Sequence, residues 1–169
     1  MAPLRRLWIA LGVLLVVGAG FAWITRSSDE EKIRAQLTRL AAALHMSEGA
    51  NPVLRVANLR SEFSGIFDES PHVSVPELTM PLPDDRRGLA DAAAQLTSFV
   101  QRVDVDFEGT EIKLDDAHTS AKVDATATLS TDDGRARRTT RAVTFLMWKR
   151  GDAWRISSVH VWPADEPTR

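Results

Sequence analysis

The stretch Thr119-Ser120-Ala121-Lys122-Val123-Asp124-Ala125-Thr126-Ala127-Thr128-Leu129 decides the fold. Its small and apolar residues fall on odd positions and its polar ones on even positions, the period of two that a half-buried strand requires. Asp133-Gly134 follows, a strong hairpin signal. A second strand then runs from about Arg137 to Lys149, a turn sits at Gly151-Asp152, and a last strand runs from Trp154 to Trp162, stopped by Pro163. Upstream, Val103, Val105 and Phe107 alternate with Asp104, Asp106 and Glu108; Gly109 marks a bulge or bend and Asp115-Asp116 a turn. The C-terminal half is therefore an antiparallel meander.

The preceding residues follow the helical period. Ser28-x-x-Glu31 is a capping box, and Asp29, Glu30 and Glu31 suit the positive end of a helix dipole. Ile33, Leu37, Leu40, Ala41 and Leu44 follow at helical spacing, with Gly49 as a stop. Asn51-Pro52 opens a second helix as cap and first-turn proline, with Val56, Leu59, Phe63 and Ile66 as its seam. Pro71, Pro76, Pro81 and Pro83 leave room for only a short edge strand around His72–Leu78. Asp84 or Asp85 caps a third helix along Leu89, Ala93, Leu96 and Val100.

The face assignment depends on register. With Asp133-Gly134 as a two-residue turn, Asp132 opposes Arg135. Ala121, Val123, Ala125 and Leu129 then share the helix-packed face with Arg138, Ala142, Thr144 and Leu146. The other face carries Val143, Phe145 and Met147. With Gly151-Asp152 as the next turn, Phe145 opposes Ser158 and Met147 opposes Ile156, so Trp154, Ile156, His160 and Trp162 join that outer face. Val143, Phe145, Met147, Ile156 and Trp162 are thereby the expected interface for a second copy or another protein.

From Leu7 to Ile24 no residue is charged. At about 1.5 Å per residue such a run just spans a hydrocarbon core, and Trp8 and Trp23 stand at its ends, where indole favours headgroups. Two readings remain, an uncleaved anchor and a cleaved signal peptide. The anchor is favoured because Trp23 and Ile24 extend the apolar run past the small-residue sites at Gly18–Ala22. The expected organisation is an anchor over 1–26, a domain over 27–163 and a tail over 164–169. The order of basic Arg5-Arg6, apolar run and domain places the span in the inner (cytoplasmic) membrane with its domain periplasmic.

Composition narrows the chemistry. The 169 residues carry 21 Lys and Arg against 23 Asp and Glu, and Arg5 and Arg6 precede the domain, so no basic excess recruits nucleic acid. Cysteine and tyrosine are both absent, which removes disulfides, thiolate ligands, thiol nucleophiles and phenolic acids. His45, His72, His118 and His160 lack metal-motif spacing, so neither a metal nor a cofactor is expected. Asp115-Asp116 and Asp132-Asp133 read as turns. Arg135, Arg137, Arg138 and Arg141 read as a solvated strand end, with an anionic headgroup or partner as the alternative.

Three helices, a short strand before the third, a bent strand and a long meander resemble the nuclear transport factor 2-like superfamily. So does the closing stretch Phe145-Leu146-Met147-Trp148-Lys149-Arg150-Gly151-Asp152-Ala153-Trp154-Arg155-Ile156. The resemblance implies an α+β fold of three helices on a curved, mainly antiparallel sheet. It implies, too, that the sheet can line a ligand pocket, for which His160, Trp148 and Trp162 are the candidates. The superfamily includes ketosteroid isomerases and polyketide cyclase-like proteins, yet no Asp here matches a catalytic position and tyrosine is missing. A span followed by such a domain resembles the bitopic subunits of type IV secretion systems and the accessory proteins of lipid-transfer operons. The expectation is a non-catalytic, membrane-tethered accessory or assembly domain of an envelope complex. The alternatives are binding of a small apolar ligand or lipid, and a lyase or isomerase.

Overall fold

A computed structural model describes residues 28–76, 78, 81–97, 100–132 and 135–163. The expected span at 7–24 and the tail at 164–169 lie outside these. Among the described residues, no helix is long and apolar enough to cross a membrane.

Helix α1 (Asp29–Leu44) starts on the predicted capping box: Ser28 Oγ accepts from the Glu31 N–H, and the Glu31 carboxylate accepts from the Ser28 N–H. Its buried stripe is Ile33, Leu37 and Leu40. The helix ends at Leu44, earlier than Gly49 suggested, because Met46 pairs its backbone with Val103 at the edge of the sheet. Helix α2 (Pro52–Ile66) is capped by Asn51 and buries Leu59, Phe63 and Ile66. It passes directly into strand β1 (Phe67–Ser74), which starts before the expected edge strand and accommodates Pro71 because it is indeed an edge. Asp85, not Asp84, caps helix α3 (Arg86–Thr97), accepting from the N–H groups of Arg87 and Gly88.

Strands β2 (Arg102–Leu114), β3 (Ser120–Asp132), β4 (Ala136–Arg150) and β5 (Ala153–Val161) form the meander. The sheet order is β1-β5-β4-β3-β2, with β1 parallel to β5 and the other pairs antiparallel. Gly109, at φ 62°, sits in the predicted bulge between Glu108 and Glu111. Asp115 closes the β2–β3 turn by accepting from the N–H groups of Thr119 and Ser120 and the Thr119 hydroxyl.

The β3–β4 register corrects the sequence expectation. Asp132 pairs with Ala136, leaving three residues between them instead of two. Strand side chains alternate, so one extra residue exchanges the faces of all of β4. Val123 now opposes Phe145, and Ala121 opposes Met147. Val143, Phe145, Met147 and Ile156 are buried in the core beneath the helices, with Trp154 beside them. Four of the five residues expected to form an outer interface are therefore core residues, and Trp162 alone stays on the outer face. Leu146 and Thr144, expected inside, face out from the sheet. The Gly151-Asp152 turn does have two residues, and Met147 opposes Ile156 as expected. A bulge then shifts the pairing, so that Phe145 opposes Val159, not Ser158. It leaves Trp154 and Ile156 inward and sends Ser158, His160 and Trp162 outward.

Candidate functional site

The outer face of the sheet holds all three pocket candidates, Trp148, His160 and Trp162. Leu146 and Trp148 of β4 are each 45% exposed. Beside them, on β5 and just after it, lie Ser158, His160 and Trp162, with Thr144 opposite His160. The indole of Trp162 packs edge-on against His160, centroids 4.4 Å apart, and donates from Nε1 to Thr144 Oγ1 at 3.1 Å. Thr144 in turn donates to Asp124 Oδ1 at 2.7 Å, and Lys122 Nζ lies 3.1 Å from the other carboxylate oxygen. Partial burial raises the Asp124 pKa, but the Thr144 hydroxyl and Lys122 ammonium outweigh it and hold the carboxyl below its ordinary value. An ionised acceptor with both partners in place suits anchoring of Trp162, not proton exchange with a substrate.

Inside, where a cone-shaped pocket would lie, the helices and sheet share a core cluster. Phe107 stands edge-on to Phe145 at 5.3 Å, and Trp154, Met147, Ile33 and Ile66 are almost wholly buried around them. Among the described residues no three His, Asp or Glu side chains converge as metal ligands.

Two polar clusters escape sequence reasoning. The first is at the end of the sheet formed by the β2–β3 and β4–β5 turns. Asp29 receives Lys149 Nζ at 2.9 Å and Trp154 Nε1 at 3.1 Å, and His118 Nδ1 is 3.6 Å away. The Lys149 hydrogen bond lowers the Asp29 pKa most, burial opposes it, and Trp154 adds to the lowering. The only hint in the sequence is that a tryptophan on a buried strand face needs an acceptor for its N–H.

The second cluster is at the opposite end, around a cleft of about 570 Å³ between the α1–α2 connection, α2 and α3. Arg60 on its wall makes a two-bond fork with Asp91, at 2.7 and 2.8 Å. Arg55 reaches back to cap α1: Nη1 donates to the carbonyls of Ala43 and His45 and Nη2 to that of Leu44. Spacing along α2 marks Arg55 only as a polar position, since its partners belong to another helix.

No family model matches the chain, and no curated protein matches it in sequence. Solved structures do match in shape. A nuclear transport factor 2-like superfamily protein from Salmonella enterica superposes with a TM-score of 0.61 at 14% identity, covering 83% of this chain and 94% of its own. The fold is nuclear transport factor 2-like. A candidate calcium/calmodulin-dependent protein kinase II association domain from Xanthomonas campestris gives 0.62 at 14% identity, over 85% and 93% of the two chains. A candidate scytalone dehydratase from Novosphingobium aromaticivorans gives 0.59 at 13%, over 83% and 89%. At such identities the likeness is one of nuclear transport factor 2-like fold alone, a fold that hosts enzymes and assembly modules alike.

Proposed function

We propose that this chain is a non-catalytic accessory or assembly domain, tethered through residues 7–24 to the inner membrane with its folded part in the periplasm. We further propose that the outer face of its sheet seats a second copy of itself within an envelope complex. The observation that carries this reading is the exposure of Leu146 and Trp148, each 45%, on a sheet face that no helix among the described residues covers. With Trp162 and His160 alongside, they form an aromatic and aliphatic centre bordered by Lys122, Asp124 and Arg155. An apolar centre within a polar rim of both signs is what a self-complementary interface requires. The Xanthomonas association domain is a neighbour in keeping with this role. The dehydratase neighbour supports the lyase alternative weakly, because an active site in the cone would need polar groups around an open volume where Phe145, Trp154 and Met147 pack here.

The test uses the absence of cysteine. With Leu146→Cys as the sole thiol, a short bismaleimide applied to membranes should give a band at twice the monomer mass. An adduct of another mass would assign the face to a different envelope protein, and monomer alone would refute the interface. Carbonate extraction and reporters fused after Arg169 test the tether and its topology separately. Release of the full-length chain, or reporter activity confined to the cytoplasm, would overturn that part.

A further inference from the structure

Strand β4 runs past the end of β5. Its pairing with β3 covers Ala136 to Trp148, whereas its pairing with β5 begins only at Val143. One more bond, from the Trp162 N–H to the Ala142 carbonyl at 2.9 Å, carries the β5 side a residue further. Among the described residues, no strand lies along the β5 side of Ala136–Arg141, and residues 135–140 are all exposed. A strand open on one side is a template on which extended chains add.

The alternation of the ladder says which groups this edge offers. The Lys149 N–H bonds to the carbonyl of Thr119, just before β3, and the Ala142 carbonyl accepts from Trp162. Odd residues of β4 thus point their backbone groups at β3, and even ones away from it. Arg138 and Thr140 therefore turn theirs to the open side. The stretch is also basic. Arg137, Arg138 and Arg141 stand on it, and across β3 they face Thr131, Ser130 and Ala127, none of them acidic. The same edge of a second copy would bring arginine against arginine, which is destabilising.

We propose that residues 164–167 of this same chain occupy the edge, continuing β5 as an edge strand along Ala136–Arg141. Trp162 opposite Ala142 sets the register. Ala164 then falls opposite Thr140, Asp165 opposite Thr139, Glu166 opposite Arg138 and Pro167 opposite Arg137. Glu166 and Arg138 share the outer face as a direct pair. Asp165 takes the inner face, diagonal to both Arg137 and Arg141 and within reach of long side chains. The prolines obey the same register. Trp162, Ala164 and Glu166 turn their N–H toward β4, so Pro163 and Pro167, with no N–H to give, fall where the backbone faces away. Among the described residues β1 reaches only to Ser74, opposite His160, so no strand on that side needs those donors. A shift of one residue would put both prolines on donor positions. The segment is a strap that closes the edge to strands from other chains, and it does not depend on the self-association proposed for the outer face.

The test uses the full-length chain in detergent micelles. In the cysteine-free sequence, Thr140→Cys with Ala164→Cys places two thiols on opposed residues about 5.5 Å apart at Cα, within disulfide range. Mild oxidation should close an intramolecular disulfide. Thr139→Cys with Ala164→Cys, on opposite faces, should close at least tenfold more slowly. Amide exchange gives an independent reading. Glu166→Pro removes the N–H offered to the Arg138 carbonyl, and should speed exchange at Arg138 and Thr140 at least tenfold. Thr139, whose N–H turns to β3, should not change. Equal closure of the matched and offset pairs, or unchanged exchange at Arg138 and Thr140, would overturn the strap. A disulfide joining two copies would assign the edge to a second copy and refute it equally. So would protection of these two amides that appears only when another protein is added.

Discussion

Asp29 and Lys149, 120 residues apart in the chain, meet at 2.9–3.0 Å where α1 begins and β4 ends. With the Trp154 indole on the same carboxylate, the pair ties the first turn of the first helix to the last hairpin. It brings the chain's entry point to the sheet end that carries the β2–β3 and β4–β5 turns.

Breaking this clasp should show in stability and in its pH dependence. Asp29→Ala leaves the Trp154 N–H and Lys149 without their acceptor, and should cost about 2 kcal/mol in urea unfolding. The folded pKa of Asp29 lies below its unfolded value. The clasp's stabilisation is therefore complete above the unfolded carboxyl range, near pH 4, and is lost as pH falls through the folded value. Asp29→Asn should flatten that acid limb. An unaltered limb would show that other carboxylates set it.

Neighbouring residues on β4 should behave oppositely. Phe145 is 1% exposed, so Phe145→Ala should cost about 3–5 kcal/mol. Leu146→Lys, on the outer face, should change stability by no more than about 0.5 kcal/mol. If denaturant curves reversed this order, the register pairing Asp132 with Ala136 would be wrong.

Thr144→Val removes the hydroxyl between Trp162 Nε1 and Asp124. About 1–3 kcal/mol should be lost, as two partly buried polar groups forfeit a partner. Trp162 should also gain motion, seen as a fall in its fluorescence anisotropy in a variant whose other tryptophans are replaced. Unchanged anisotropy would show that packing against His160 is sufficient to hold the ring.

The clasp also predicts how a tethered domain stands. In the cysteine-free chain, a fluorophore on Asp152→Cys should be quenched by headgroup-level spin-labelled lipid, and one on Ser47→Cys, beside the distant cleft, should not. Equal quenching at both sites would remove the orientation.

Much of the fold was legible because local signals agreed. The Ser28–Glu31 box, the Asn51-Pro52 start, the Gly109 bulge and the Gly151-Asp152 turn each act within a few residues. The face of β4 was not legible, since Asp133-Gly134 resembles a two-residue turn and a one-residue error inverts every side chain. The bulge after Ile156 lacks the glycine that marked Gly109. The pocket candidates Trp148, His160 and Trp162 all lie on the outer face, whereas Val143, Phe145, Met147 and Ile156 of the expected interface are core residues. The Asp29 and Arg55 clusters depend on partners brought in by tertiary packing, which no spacing along one element reveals.

If the outer face of the sheet is a self-association surface, the protein's mass in solution reports it. Multi-angle light scattering on the full-length chain in detergent, corrected for the micelle, should give a dimer. Leu146→Lys and Trp148→Glu should give folded monomers. A wild-type monomer at high concentration, or variants that keep the wild-type mass, would contradict it.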